Sequence, residues 1–220
     1  MSTDLGHVST WLFDLDNTLY PLECGLAGVI SERITDYVAR LTGLAPDAAR
    51  TLQKRYLAEH GLTLRGLMLN HRVDPDDYHA MFADVSLEAL SRDPGLIAAI
   101  ERLPGRRIIF TNADAAHADR VLGRLGLTML FDDVFHIARA DYAPKPHPRA
   151  FERLIGAYAI APAEACFFED TAANLAPAAS LGMTTVLVGS AARGDRPAFV
   201  SHLAPDLAAF LSAARVREPA

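Results

Sequence analysis

Cysteine is nearly absent from this chain, because its 220 residues include only Cys24 and Cys166. Two cysteines so far apart form neither a disulfide framework nor a metal-ligand spacing. We therefore expect reduced thiols and a cytoplasmic protein. The first residues, MSTDLGHVST, have neither a basic start nor a long apolar stretch, so we expect no secretory signal.

Long apolar runs and basic clusters are missing as well. No apolar run approaches the ~18 residues of a membrane-spanning helix, so we do not expect a membrane protein. The chain has 21 basic and 27 acidic residues, a net charge of −6, and no block rich in lysine or arginine. Polymeric nucleic acid is therefore not an expected partner, whereas a small anionic substrate is compatible if a local cation supplies the field.

The sequence does contain an alternation of strand-like and helical segments. Half of the residues are hydrophobic and 22% are charged, which is typical of a globular protein. Short apolar runs predict strands at residues 11–15, 107–112, 133–138, 165–170 and 184–189. Amphipathic helical patterns follow several of these runs. The alternation predicts an α/β fold with a Rossmann-like parallel sheet covered by helices on both faces.

One long interval has helical periodicity only. Between Tyr20 and Pro94 we find no convincing strand. We therefore predict an α/β core formed by residues 1–20 and 94–220, with an all-helical cap inserted at residues 21–93, here named the helical cap. Because parallel sheets bind ligands at the carboxyl ends of their strands, the helical cap is a candidate lid. The alternative is a helical bundle that only packs on the sheet.

Polar side chains follow several predicted strands. They are Asp14 and Asp16 after the first run, Thr111 and Asn112 after the second, and Glu169 and Asp170 after the fourth. In a parallel sheet these ends meet along one edge. Lys145 follows the third run within DYAPKPHP, where the prolines restrict the loop. For WLFDLDNTLYP alone, solvated acids at a strand end or an Asx turn would explain the pattern equally well.

Taken together, these side chains suit a phosphoryl group. Acids gathered at one edge repel one another, and a divalent cation such as Mg²⁺, which prefers carboxylate and carbonyl oxygens, relieves the repulsion. A lysine, a threonine hydroxyl and helix N-terminal amides complete a phosphate site. Asp14 and Asp16 can divide the chemistry. One carboxylate attacks phosphorus to give an aspartyl-phosphate, and the other, whose pKa its acidic neighbours should raise, protonates the ester oxygen.

The order of these motifs resembles that of the haloacid dehalogenase-like hydrolases. DLDNT, FTN, the lone lysine before a proline, and FFEDTAAN are similar to the four motifs of that family and span residues 11–174. The resemblance implies that Asp14 is the nucleophile and Asp16 the general acid and base. It also implies phosphate contacts from Thr111, the Asn112 backbone and Lys145.

The same resemblance implies a Mg²⁺ site. Its ligands would be Asp14, the carbonyl of Asp16, Asp170 and Glu169, with Asn174 supporting the site from the following helix. True dehalogenases of the family lack an acid two positions after the nucleophile. Asp16 therefore favours phosphate esters over haloacids.

The ending Leu-Tyr-Pro and the segment GLTLRGLMLNHRVDPDDYH resemble the pyrimidine 5′-nucleotidase subgroup of this family. This resemblance implies a nucleoside monophosphate as the small phosphorylated substrate. His71 and Arg72 of the helical cap could face its leaving group, and solvated loop positions explain them equally well. The alternatives are a sugar-phosphate or phosphoglycolate phosphatase, a phosphosugar mutase, and a non-catalytic phosphate-binding module. The sequence does not predict the oligomeric state.

Overall fold

The computed structural model describes residues 3–217, and the outermost ends of the predicted core, residues 1–2 and 218–220, lie outside the described residues. Within residues 3–217, six strands form one sheet. In chain order they are β1 (Thr10–Phe13), β2 (Arg106–Phe110), β3 (Asp133–Phe135), β4 (Ala165–Glu169), β5 (Thr184–Val188) and β6 (His202–Ala204). Their order across the sheet is β3-β2-β1-β4-β5-β6, and each neighbouring pair is parallel. The predicted α/β fold with a parallel sheet is confirmed.

Helices surround this sheet. In chain order they are α1 (Leu26–Thr42), α2 (Pro46–His60), α3 (Thr63–His71), α4 (Pro75–Ala80), α5 (Pro94–Glu101), α6 (Ala115–Leu125), α7 (Pro148–Tyr158), α8 (Ala172–Ser180) and α9 (Leu207–Ala213). The first four belong to the helical cap, which follows β1 and contains no strand among its residues. Their placement agrees with the predicted insertion, and the division into two domains stays a prediction.

Alternate residues of β1 enter two separate hydrophobic clusters. Trp11 and Phe13 belong to the cluster that includes residues of α5, α6 and α9, and Leu12 belongs to the cluster that includes residues of α7 and α8. Successive side chains of a strand point to opposite faces of a sheet, so both faces of this central strand are buried. The ring of Phe13 also stacks on Phe168 of β4, with centroids 4.6 Å apart. This packing fixes the carboxyl end of β1.

Helix α6 is bound to the segment through which the chain leaves the helical cap, residues 82–88, here named the return segment. Arg120 donates one hydrogen bond to the carbonyl of Phe82 at 2.7 Å and another to the carbonyl of Val85. Arg124, one turn further along, donates to two more carbonyl oxygens of the return segment, both at 3.1 Å. A helix that packs on the sheet therefore holds one end of the helical cap.

Within residues 3–217, no helix has both the length and the apolar character required to cross a membrane. Both cysteines are free: Cys24 is half-buried, and Cys166 is buried in β4.

Candidate active site

The carboxyl end of β1 places Asp14 beside its neighbouring strand. The amide of Asp14 donates to the carbonyl of Phe168 at 2.9 Å and so extends the pairing with β4. The chain then turns at Asn17, whose φ of 62° lies in the left-handed region that asparagine tolerates better than most residues. This turn brings the hydroxyl of Thr18 to Asp14 Oδ2, to which it donates at 3.1 Å. The local sequence thus fixes the Asp14 carboxylate.

Lys145 lies behind Asp14 and is fully engaged. Its Nζ donates hydrogen bonds of 2.7 Å to Asp14 Oδ1, to Glu169 Oε2 and to the carbonyl of Phe110. The side chain is 1% exposed. Burial alone would lower the pKa of Lys145, but the two carboxylates outweigh burial and raise it. Lys145 is therefore a fixed, buried positive charge that all three of its protons hold in place.

The acids around Lys145 outnumber it. Burial, followed by the charge of Glu169, raises the pKa of Asp14 to about 7, although Lys145 partly offsets these effects. Burial likewise raises the pKa of Glu169 to about 7, and it raises the pKa of Asp170. One ammonium group cannot neutralise three neighbouring carboxylates, so this cluster favours an additional cation.

The donor set fits Mg²⁺. One carboxylate oxygen from each of Asp14, Glu169 and Asp170 lies within 4.8 Å of the others, and hard oxygen ligands are those that Mg²⁺ prefers. The two oxygens of Glu169 already accept hydrogen bonds from Lys145 Nζ and from the amide of Thr171, at 2.7 and 3.1 Å. Both oxygens of Asp14 accept hydrogen bonds as well, whereas the hydrogen bond to Asp170 is to one oxygen, from the hydroxyl of Thr171 at 3.3 Å. Asp170 is therefore better available as a direct ligand than Glu169.

Two of the predicted phosphate-binding residues, Thr111 and Asn112, lie in the loop between β2 and α6. Asn112 joins two of the predicted motifs, because its Oδ1 accepts from the amide of Lys145 at 2.8 Å and its Nδ2 donates to the carbonyl of Lys145 at 3.2 Å. This pairing orders the proline-rich loop, and it leaves the backbone of Asn112 for a ligand. Thr111 and Asn112 line the same cavity as Asp14 and Lys145, and Asn174 lines it from α8.

Asp16 is held by two donors that both contact its Oδ1. His117 Nε2 lies 2.8 Å from this oxygen, and the hydroxyl of Tyr20 donates to it at 2.6 Å. Our prediction of a raised pKa for Asp16 is wrong: burial would raise it, but the hydrogen bond and charge of His117, together with Tyr20, hold the Asp16 pKa below its ordinary value. For the same reason the pKa of His117 lies above its ordinary value, although burial alone would lower it.

His117 was not predicted from the sequence as a site residue. A pattern that could have identified it is present, since His117 stands four residues before Val121, on the buried face of α6. A histidine at the first turn of this face, just after the second predicted strand, points back toward the edge where the acids lie.

The predicted site residues of the α/β core, together with His117, line a cavity of about 240 Å³ between the sheet and the helical cap. The lining from residues of the helical cap is mostly apolar: Ile30, Ile34, Leu62, Tyr78, His79 and Phe82. The hydroxyl of Tyr78 is buried and has no hydrogen-bond partner among residues 3–217. A second cavity, of about 370 Å³, adjoins the first and shares His79, Phe82, Asp114 and His117 with it.

His71 and Arg72, the predicted substrate contacts of the helical cap, do not line the 240 Å³ cavity that contains the acids. The imidazole of His71, at the end of α3, lies 3.0 Å from the hydroxyl of Tyr56 on α2. Arg72 follows in the left-handed conformation with φ of 55° and is exposed. The end of α3 therefore packs against α2.

Comparison with known proteins gives a consistent result. Residues 8–182 match the profile of the family described as haloacid dehalogenase-like hydrolase. Phosphate metabolism protein 8 of Saccharomyces cerevisiae is 28% identical over 193 residues, which cover 80% of this chain and 60% of that protein. The chain thus spans less than two thirds of the length of that relative.

Two solved structures share the fold. A HAD phosphatase from Thermococcus onnurineus is 23% identical, with a TM-score of 0.59 and 94% of each chain covered. An L-2-haloacid dehalogenase from Xanthobacter autotrophicus, with chloropropionic acid covalently bound, is 16% identical, with a TM-score of 0.56, 93% of this chain and 97% of that chain covered.

Proposed function

This chain belongs to the haloacid dehalogenase-like hydrolase family, and we propose that it is a Mg²⁺-dependent phosphatase that cleaves small phosphate monoesters through an aspartyl-phosphate on Asp14. The main support is the second carboxyl group, Asp16, which lines the same cavity as the buried Asp14. A nucleophile needs only one carboxylate. A second one, held beside it, provides the acid and base that a phosphate ester requires.

In the first step, a carboxylate oxygen of Asp14 attacks phosphorus, and the ester oxygen leaves with a proton from Asp16. In the second step, Asp16 takes a proton from water, which attacks the aspartyl-phosphate and releases phosphate. The proton lost in the first step is thus regained in the second. The lowered pKa of Asp16 suits its role as base, and an approaching phosphate dianion would raise that pKa for its role as acid.

Other residues stabilise this chemistry. Thr111, the backbone of Asn112 and the charge of Lys145 would bind the phosphoryl oxygens, while Thr18 and Lys145 orient Asp14. Asp14, Asp170 and the carbonyl of Asp16 would hold Mg²⁺, with Glu169 beside them and Asn174 supporting the site. When bound, Mg²⁺ would neutralise negative charge on the transferred phosphoryl group.

We propose a nucleoside 5′-monophosphate, and within this class a pyrimidine nucleotide, as the substrate. The lining from the helical cap includes Tyr78 and Phe82, whose rings suit a planar base. Most of this lining is apolar and cannot pair with the several hydroxyl groups of a sugar phosphate. We further propose that the helical cap is a separate domain that closes over a substrate in a cytoplasmic enzyme.

The test measures phosphate release from nucleoside monophosphates, sugar phosphates and phosphoglycolate, with Mg²⁺ and with a chelator, together with chloride release from 2-chloropropionate. We expect kcat/KM to be highest for UMP or CMP and to disappear with the chelator. Preference for sugar phosphates would reject the nucleotidase proposal only. Chloride release without phosphate release would reject the phosphatase proposal, and ester binding without release of phosphate would favour a mutase or a binding module.

A further inference from the structure

Two buried side chains converge on one oxygen of Asp16. His117 and Tyr20 are each 5% exposed, and both place a donor within 2.8 Å of Asp16 Oδ1. The other oxygen, Oδ2, has no hydrogen-bond partner among residues 3–217. The two oxygens of this carboxylate are therefore unequal: one is anchored to the protein, and the other is left for a ligand.

We propose that His117, assisted by Tyr20, is a positioning residue that orients Asp16 so that its Oδ2 transfers the proton to the leaving group. This inference rests on the proposed phosphatase function. In the proposed mechanism neither His117 nor Tyr20 contacts the phosphoryl group, so both act through Asp16.

The position of Asp16 in the chain explains why its side chain needs these two hydrogen bonds. It follows β1 in a turn, and its side chain is 31% exposed, in contrast to the buried Asp14. A carboxylate on a turn would otherwise rotate among several side-chain conformations. Proton transfer requires the donor oxygen within about 3 Å of the ester oxygen, so this rotation would reduce the rate.

The two donors come from independent elements. Tyr20 lies four residues after Asp16 in the same turn, whereas His117 belongs to the first turn of α6. Asp114 caps this helix by accepting from the amide of His117 at 3.0 Å. Arg120, three residues after His117, attaches the helix to the return segment. His117 is thus fixed through both its own helix and the helical cap, and it can set the orientation of Asp16.

A purely structural role predicts something different. If His117 only filled space, its removal would disturb the site as a whole and slow all substrates to a similar extent. If it orients the proton donor, its removal would slow esters with basic leaving groups much more than esters whose leaving groups depart readily without protonation. The loss of rate on the first kind of ester, divided by the loss on the second kind, therefore distinguishes an orienting role from a structural one.

The experiment compares kcat/KM for p-nitrophenyl phosphate and phenyl phosphate with Mg²⁺, because kcat/KM reports the step in which the leaving group departs. We expect His117→Ala to reduce kcat/KM for phenyl phosphate about tenfold more than for p-nitrophenyl phosphate. His117→Gln, which places an amide donor near the position of Nε2, should restore most of this difference. Tyr20→Phe should show a smaller difference in the same direction.

Inhibition by inorganic phosphate, measured on each variant, checks that the phosphoryl site is intact. Equal losses on the two esters, or a His117→Gln variant no better than His117→Ala, would overturn the proposal. If His117→Ala does not fold, the selective loss is sought in Tyr20→Phe, and equal losses there would overturn it. A wild-type enzyme that releases no phosphate from either ester or from any nucleotide would reject the phosphatase function itself.

Discussion

The cavity wall formed by the sheet and the wall formed by the helical cap differ in how their polar atoms are paired. On the sheet side, both oxygens of Asp14, both oxygens of Glu169 and all three protons of Lys145 have partners. On the cap side most of the lining is apolar, and the buried hydroxyl of Tyr78 has no hydrogen-bond partner in the part of the chain that the structure describes. Hydrogen bonds therefore fix one wall, whereas packing shapes the other. We expect substitutions on the sheet side to affect the chemistry, and those on the cap side to affect substrate choice.

The strongest test of the sheet side is Asp14→Asn. An amide is a poor nucleophile toward phosphorus, so we expect kcat to fall by more than about 10³-fold. The same change at the exposed Asp119 of α6 is the matched control and should leave kcat unchanged. Steady-state kinetics with Mg²⁺ measures both. Residual activity above about one per cent of wild type would argue against Asp14 as the nucleophile.

The next test concerns stability. Lys145→Met leaves Asp14 and Glu169 buried without their cation, and we expect the free energy of unfolding at pH 8 to fall by about 3–5 kcal/mol. The folded-state pKa of each carboxyl group, raised to about 7, would rise further without Lys145. Protonated carboxyl groups need no cation, so the cost should be smaller at pH 5.5 and grow as the pH rises through 7.

Urea unfolding in the absence of Mg²⁺, at pH 5.5 and pH 8, measures this difference between wild type and Lys145→Met. A cost that does not depend on pH would show that packing, not charge, is the main contribution of Lys145.

On the cap side, Ile34→Ala enlarges the cavity without removing a polar group. We expect the preference for a nucleotide over p-nitrophenyl phosphate, as a ratio of kcat/KM values, to change by about tenfold. Val29→Ala, on the outer side of the same helix, is the control and should leave the ratio unchanged. A large fall in kcat for both substrates after Ile34→Ala would contradict the proposed separation of the two walls.

The smallest expected effect is the pH dependence of Mg²⁺ binding. Protons compete with Mg²⁺ for Asp14 and neutralise Glu169 beside the site, because the pKa of each carboxyl group is raised to about 7. Mg²⁺ should therefore raise the melting temperature by about 3–6 °C at pH 8 and by less at pH 5.5. Asp170→Asn should remove most of this shift. If Mg²⁺ raised the melting temperature equally at both pH values, or equally in wild type and Asp170→Asn, the Mg²⁺ site would lie elsewhere.

The strands and the positions of the acids could be predicted from the sequence because both depend on local patterns. Apolar runs identify buried strands, and the parallel topology then brings Asp14, Lys145 and Glu169 to one edge. Strand β6 was not predicted, because only three residues, His202–Ala204, form it and they lack a distinctive apolar run.

The features that were not predicted depend on the direction of side chains from distant elements. A raised pKa of Asp16 was predicted from its acidic neighbours in the sequence. The pKa is lowered instead, because His117, a hundred and one positions away, hydrogen-bonds to the Asp16 carboxylate. In the same way, the sequence indicates that His71 lies in the helical cap, but only the packing of α3 on α2 shows which way it faces.

The contacts between α6 and the return segment have a consequence for protein engineering. Arg120 and Arg124 bind backbone carbonyl groups, which every amino-acid sequence provides. A cap transplanted from a relative could therefore differ at the exposed side chains of residues 82–88 and still be held, provided that its backbone follows the same path and that the buried Phe82 and Val85 are kept. The path of the backbone thus decides whether a helical cap can be exchanged. Suitable caps should be sought in relatives whose return segments have the same length.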